Sequence, residues 1–173
     1  MSTRADADLA PFYRLQGPRS GFLGMLAVPR AGVRGKAHEA YFRFPDQIAD
    51  AEAWANAQNG AGWDTYNCAH LLDRPDREKT TALDVTALWS DTDHDRPAPE
   101  GIEPALTLRT SPGRNQDYYL LTRAITPAKA EELNRRIAVA RGCDPSGADL
   151  TQVLRIPGTA TRKYPGAPHG TSK

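Results

Sequence analysis

Short β-compatible runs, each stopped by turn residues, dominate this sequence and leave only two stretches with a clear helical pattern. Phe22 to Val28 is apolar and ends at Pro29, and Gly32 and Gly35 mark the turn that follows. His38 to Phe44 alternates around Tyr41 and reads as its hairpin partner. Further strands are expected over Thr65 to Leu72, Val85 to Asp91, Ala105 to Thr110 and Asp117 to Leu121. The last two are joined by the turn Ser111-Pro112-Gly113-Arg114-Asn115. A helical turn is expected over Thr80 to Asp84, and a loop or short helix from Asp144 to Thr151. The first full helix is predicted from Gln47 to Asn59, capped by Asp46, with Ile48, Ala51, Trp54 and Ala55 on its apolar side. The second is opened by Thr126-Pro127 and closed by Gly142, with Leu133, Ile137 and Ala140 along its buried stripe. Met1 to Gly17 reads as a loosely packed lead-in. The pattern predicts an α+β fold, a sheet with helices packed on one face.

A chain of 173 residues can bury one ordinary core, and 39% hydrophobic with 25% charged residues is a globular composition. Apolar runs are too short to span a bilayer and the start has no charged-then-apolar leader, so a cytoplasmic protein with no membrane partner is expected. Cys68 and Cys143 belong to no CxxC pair, which excludes a zinc ribbon; both are expected as small buried apolar residues. The net charge of +1 says nothing about nucleic acid, but the charges are segregated. Asp84 to Asp95 holds four aspartates and no Lys or Arg, whereas Arg155 to Lys173 holds four basic residues and no acid. Such patches can hold a metal in one place and a phosphate chain in the other; the plainer reading of a basic terminus is a solvated tail.

The acidic patch begins at a strand end, in Leu88-Trp89-Ser90-Asp91-Thr92-Asp93. Alternate side chains of a strand share a face, so Asp91 and Asp93 would converge if the strand persists to residue 93. Two such carboxylates, ~6–7 Å apart at Cα, repel unless a cation lies between them, and hard oxygen ligands favour Mg²⁺ or Mn²⁺. Asp95 is a possible third acid, with a turn role as the simpler account.

Downstream, the turn around Ser111 and Arg114 offers backbone donors and a cation that suit a triphosphate, although most hairpin turns hold nothing. Gln116, Tyr118 and Leu120 share one strand face and Tyr119 the other; these aromatics are core residues or base-stacking groups. Arg155, set between Leu154 and Ile156, needs an anion if it is buried. That anion is a phosphate, or the carboxylate of Asp149 or Asp144.

Taken in order, the segments around Asp91–Asp93, Thr110–Leu121 and Asp149 with Val153–Thr159 and Lys163 resemble the archaeo-eukaryotic primase superfamily, in its primase–polymerase and RepB-like branch of mobile elements. The resemblance covers roughly residues 60 to 165. It implies a primase–polymerase catalytic core, a mixed or antiparallel RRM-like sheet flanked by helices, as a single domain over residues 1–165. The Pro–Gly-rich residues 166–173 would then be a linker-like tail leading to a further domain. It implies a metal-dependent nucleotidyltransferase that makes or extends primers on single-stranded DNA. Asp91, Asp93 and Asp149 would be catalytic and hold Mg²⁺ or Mn²⁺; Ser111, Arg114, Gln116, Arg155 and Lys163 would bind the nucleotide and phosphates. Its partners would be a single-stranded DNA template, NTP or dNTP, and a helicase domain or subunit. Gln116 stands where the family usually has a histidine and carries no charge at any pH. This leaves an alternative, a catalytically weak primase-like module that binds DNA or a protein partner; a metal-dependent nuclease is a third option.

Overall fold

A computed structural model describes residues 6–93 and 98–160, and the backbone of residues 170–172. The α+β class is as expected, but the strands form two antiparallel four-stranded sheets rather than one. The element order is α1 (Ala10–Gln16), β1 (Gly21–Pro29), β2 (His38–Phe44), α2 (Ile48–Gly60), β3 (Trp63–Cys68), β4 (Val85–Thr92), β5 (Leu106–Ser111), β6 (Arg114–Ile125), α3 (Pro127–Arg141), β7 (Val153–Arg155) and β8 (Gly170–Ser172). The first sheet runs β2-β1-β3-β7 and the second β4-β6-β5-β8. The short strand β8 pairs with the edge of β5.

Each sheet has its own core. Ala51 and Ala55 of α2 pack with Leu23, Met25 and Phe44 of the first sheet, while Ala130 of α3 packs with Leu88, Trp89, Tyr118 and Tyr119 of the second. Tyr118 and Tyr119 are thereby core residues. Within the described residues the lead-in is not loose: Leu9, at the N-cap of α1, and Phe12 are buried in the first core and Leu15 in the second, so this short helix wedges the two together. Seven residues are too few for a stable isolated helix. Burial of three large side chains, roughly 1.5–3 kcal/mol each, supplies what propensity does not.

Three further expectations change. Asp46 does not cap α2; Gln47 occupies the cap position without a side-chain bond, its Oε1 accepting instead from the Arg43 backbone N–H at 2.8 Å. Ala140 is exposed, and the buried stripe of α3 runs through Ala130, Asn134, Ala138 and Arg141. The helix turns these polar groups inward because β4 is an edge strand: Asn134 Oδ1 takes the Trp89 backbone N–H at 3.0 Å, and Arg141 reaches the buried carboxylate of Asp117 at 2.6 Å. Cys68 is buried as expected, whereas Cys143, just past the helix end, is only half-buried.

His70 ties the end of β3 to the turn before β7. Its ring nitrogens face the carbonyl oxygens of Leu71 at 2.9 Å and Leu150 at 2.7 Å, so both must donate and the imidazole is charged. Burial alone would lower its pKa, but the Cys68 sulfur and the two carbonyls hold it up at about 9. No helix among the described residues is long and apolar enough to cross a membrane.

Candidate active site

The two sheets meet at a polar pocket whose walls come from opposite sides. The second sheet brings Asp91, Asp93, Thr110, Ser111, Arg114 and Gln116; the first brings Tyr66 and Arg155, with Gln152 and Val153 at the rim. The antiparallel register sets the first wall. Asp91 pairs with Gln116 and Thr92 with Asn115, so the acidic end of β4 lies beside the start of β6. Pro112-Gly113 alone makes the β5–β6 turn, with Ser111 paired to Arg114. Gly113 has φ of 72°, a left-handed conformation that a glycine adopts freely. That tight turn swings Arg114 back over the strand, where its Nε meets Asp93 Oδ1 at 3.3 Å.

On the facing wall Tyr66 and Arg155 are cross-strand neighbours. The Arg155 guanidinium lies over the Tyr66 ring at 4.9 Å and its Nη1 is 3.8 Å from Asp64 Oδ1. Arg155 is thus aimed by an aromatic face and a carboxylate. Neither Asp149 nor Asp144, the two carboxylates weighed from sequence, is that partner. Gln116 stitches the walls together: its Oε1 accepts the Arg155 backbone N–H at 2.9 Å, an edge donor that no strand takes up.

Asp91 opens onto the pocket, yet the surrounding protein withdraws enough water, with Asp93 beside it, to push its carboxyl above the ordinary carboxylate range. Arg114 and Arg155 pull the other way. A carboxyl that holds its proton more tightly folded than unfolded costs stability once pH exceeds its pKa. Asp91→Asn is therefore expected to raise the metal-free melting midpoint at pH 7 by about 1–3 °C. The gain should shrink as pH falls toward the carboxylate range. A variant that melts below wild type without metal contradicts this electrostatic account.

Asp149 does not join the pair. Its Oδ2 is 2.5 Å from Lys79 Nζ and its Oδ1 accepts from the Thr151 N–H and hydroxyl, both at 2.7 Å. Burial alone would raise its pKa, but Lys79 and the Thr151 donors together outweigh it and hold the carboxyl down at about 2. It closes its own turn and anchors Lys79, outside the pocket lining. Among the described residues no three His, Cys, Asp or Glu side chains gather as a metal site. Lys163 and Asp95 lie outside the described residues.

Tyr66 and Gln152 are pocket residues that the sequence does not single out, whereas Thr110 belongs to the turn expected to hold phosphates. Strand alternation places Tyr66 on the face of Asp64, but the register that sets it beside Arg155 is a pairing of distant segments.

No family sequence model matches the chain, and no curated protein sequence is similar to it. Solved structures do match in fold. Primase RepB′ is 21% identical, with 91% of this chain and 51% of that one covered and a TM-score of 0.67. The catalytic domain of primase RepB′ in complex with initiator DNA is 21% identical over 93% of this chain and 80% of that one, with a TM-score of 0.69. The archaeo-eukaryotic primase domain of the cyanophage S-2L primase–polymerase is 16% identical over 95% and 88%, with a TM-score of 0.70. The chain spans about half the length of the first of these, and at such identities the likeness is one of fold.

Proposed function

We propose, from the primase–polymerase fold that the chain adopts, that it is a metal-dependent nucleotidyltransferase making or extending primers on single-stranded DNA during replication of a plasmid, phage or other mobile element. The observation that carries this reading is one pocket with Asp91 and Asp93 on one wall, Arg155 on the other, and the Ser111–Arg114 turn at its edge. Two carboxylates suit Mg²⁺ or Mn²⁺, which commonly take one or two protein carboxylates and complete their shell with substrate phosphates and water. The raised carboxyl of Asp91 supports that fit, since a cation relieves the repulsion from Asp93. Bound there, such ions supply Lewis-acid stabilisation of an attacking 3′-oxygen and a leaving pyrophosphate.

The chain's own side chains do the rest. Arg155, held by Tyr66 and Asp64, and Arg114 present guanidinium groups to the triphosphate; Ser111 adds a hydroxyl. Gln116, its oxygen occupied by the Arg155 N–H, has its amide N–H₂ as the remaining donor group. Asp149 holds no metal in this reading, while Lys163 stays a proposed phosphate contact. A helicase domain or subunit and a cytoplasmic setting are part of the same proposal.

The test is incubation of the purified chain with Mn²⁺ or Mg²⁺, nucleotides and a single-stranded template. Template-dependent products longer than the input are expected. Gln116 and the two-carboxylate pocket favour one second reading, a DNA- or partner-binding module with weak chemistry. Tight DNA binding with no product and no metal-dependent nucleotide affinity would establish that reading instead.

A further inference from the structure

The β1–β2 loop is a basic segment. From Pro29 to His38 the chain holds Arg30, Arg34 and Lys36 and no acidic residue. Arg30 is committed: its Nε donates to Asp64 Oδ1 at 2.7 Å and another of its nitrogens to the Ala160 carbonyl. Arg34 and Lys36 are exposed, and neither side chain has a partner among the described residues.

The loop is nonetheless built. Val33 closes a turn onto Arg30, its N–H meeting the Arg30 carbonyl at 2.9 Å. Gly35 lies flat on the Trp63 indole, where a Cβ would come within 2.5 Å of Cη2, and its φ of 140° also excludes a side chain. His38 packs edge-on against Trp63 at 4.8 Å and against Trp54 at 5.9 Å. The two cations that flank Gly35 are thus presented by a fixed frame, so less ordering entropy is lost when they bind.

That frame is wired to the pocket. Asp64 Oδ1 lies near both Arg30 and Arg155, giving a continuous series from the pocket arginine through Arg30 to the loop. Strand alternation turns the Trp63 indole to the face that α2 covers and Tyr66 to the pocket face, so the loop reaches the pocket through Arg30 and Asp64. The pocket's own cations, Arg114 and Arg155, serve the triphosphate proposed above, so Arg34 and Lys36, outside the pocket lining, address something longer than a nucleotide. We propose that the β1–β2 loop, through Arg34 and Lys36, holds the sugar–phosphate backbone of the single-stranded DNA template just outside the pocket. This rests on the primer-synthesis reading.

The test is binding of a labelled single-stranded oligodeoxynucleotide to the whole chain across a salt series, for wild type and the Arg34→Glu/Lys36→Glu variant. Each phosphate contact contributes ~0.7 to the log–log salt slope on a single strand, so the variant should flatten it by ~1.4 and bind about tenfold more weakly at low salt. Its Mn²⁺-dependent nucleotide affinity and melting midpoint should match wild type, since both positions are exposed and lie outside the pocket. An unchanged affinity and slope in a wild type that binds DNA would overturn the loop assignment alone. So would an equal loss on a duplex of the same length, or a parallel loss of nucleotide affinity. A wild type that binds no oligonucleotide would overturn the functional reading with it.

Discussion

Alanine at Asp91 is expected to reduce template-dependent nucleotide incorporation by ~10³-fold or more while leaving the fold intact. The charge stabilisation that metal ions bring to phosphoryl transfer is worth several kcal/mol, and each ~1.36 kcal/mol is tenfold in rate. Asp91 sits within β4, its backbone fixed opposite Gln116, so loss of the carboxylate leaves both walls of the pocket in place. Asp93 follows the strand end and pairs with Arg114, and Asp93→Ala should also lose activity. A rate assay beside a melting curve checks this: a large loss with an unchanged or higher midpoint is the expected pair. Near-wild-type incorporation by Asp91→Ala would remove the carboxylate from the chemistry.

The largest stability effect is expected one layer behind, at Asp117. This residue is 1% exposed, and its carboxylate accepts from Thr107 Oγ1 at 2.6 Å, Thr92 Oγ1 at 3.0 Å and Arg141 Nη2 at 2.6 Å. Breaking a buried ion pair from one side costs about 3–5 kcal/mol, because the other charge loses its buried counter-ion. Asp117→Ala should therefore lower the melting midpoint by roughly 6–20 °C for a chain of this size. The double change with Arg141→Met should cost less than the sum of the two single changes, since it removes both charges together. Thermal unfolding of the three variants decides the matter, and a loss below ~1 kcal/mol for Asp117→Ala would show that the pair is not the clamp its geometry indicates. Thr92 lies between Asp91 and Asp93, so the clamp also bears on the acidic segment.

Much of this arrangement was legible locally. The strand ending at Asp91, the hairpin turn at Pro112-Gly113 and the Pro127-to-Gly142 helix follow from alternation, turn chemistry and capping residues, all short-range properties. The N-cap and residues of α1 show a helical spacing, Leu9, Phe12, Leu15, that is easily passed over because the helix is stabilised by two cores rather than by its own seven residues. Division into two sheets depends on pairings such as Tyr66 with Arg155, which no local pattern encodes. The same limit explains Asp149. A carboxylate near Arg155 in sequence looks like its partner, yet the chain brings Asp64 to the guanidinium and Lys79 to Asp149. Polar residues on the inner face of α3 were hidden for a related reason: Asn134 and Arg141 break the apolar stripe to satisfy an edge strand and a buried acid that lie far away in sequence.

The polymerase reading requires Asp91 and Asp93 to face a triphosphate across a cation. Crystals of the chain soaked with Mn²⁺ and a non-hydrolysable nucleoside triphosphate test it most directly, through the anomalous signal of the ion. A peak within bonding distance of both carboxylates is expected, with the phosphates running between the Ser111–Arg114 turn and Arg155. A nucleotide bound elsewhere, or an ion that ignores the two aspartates, would contradict it.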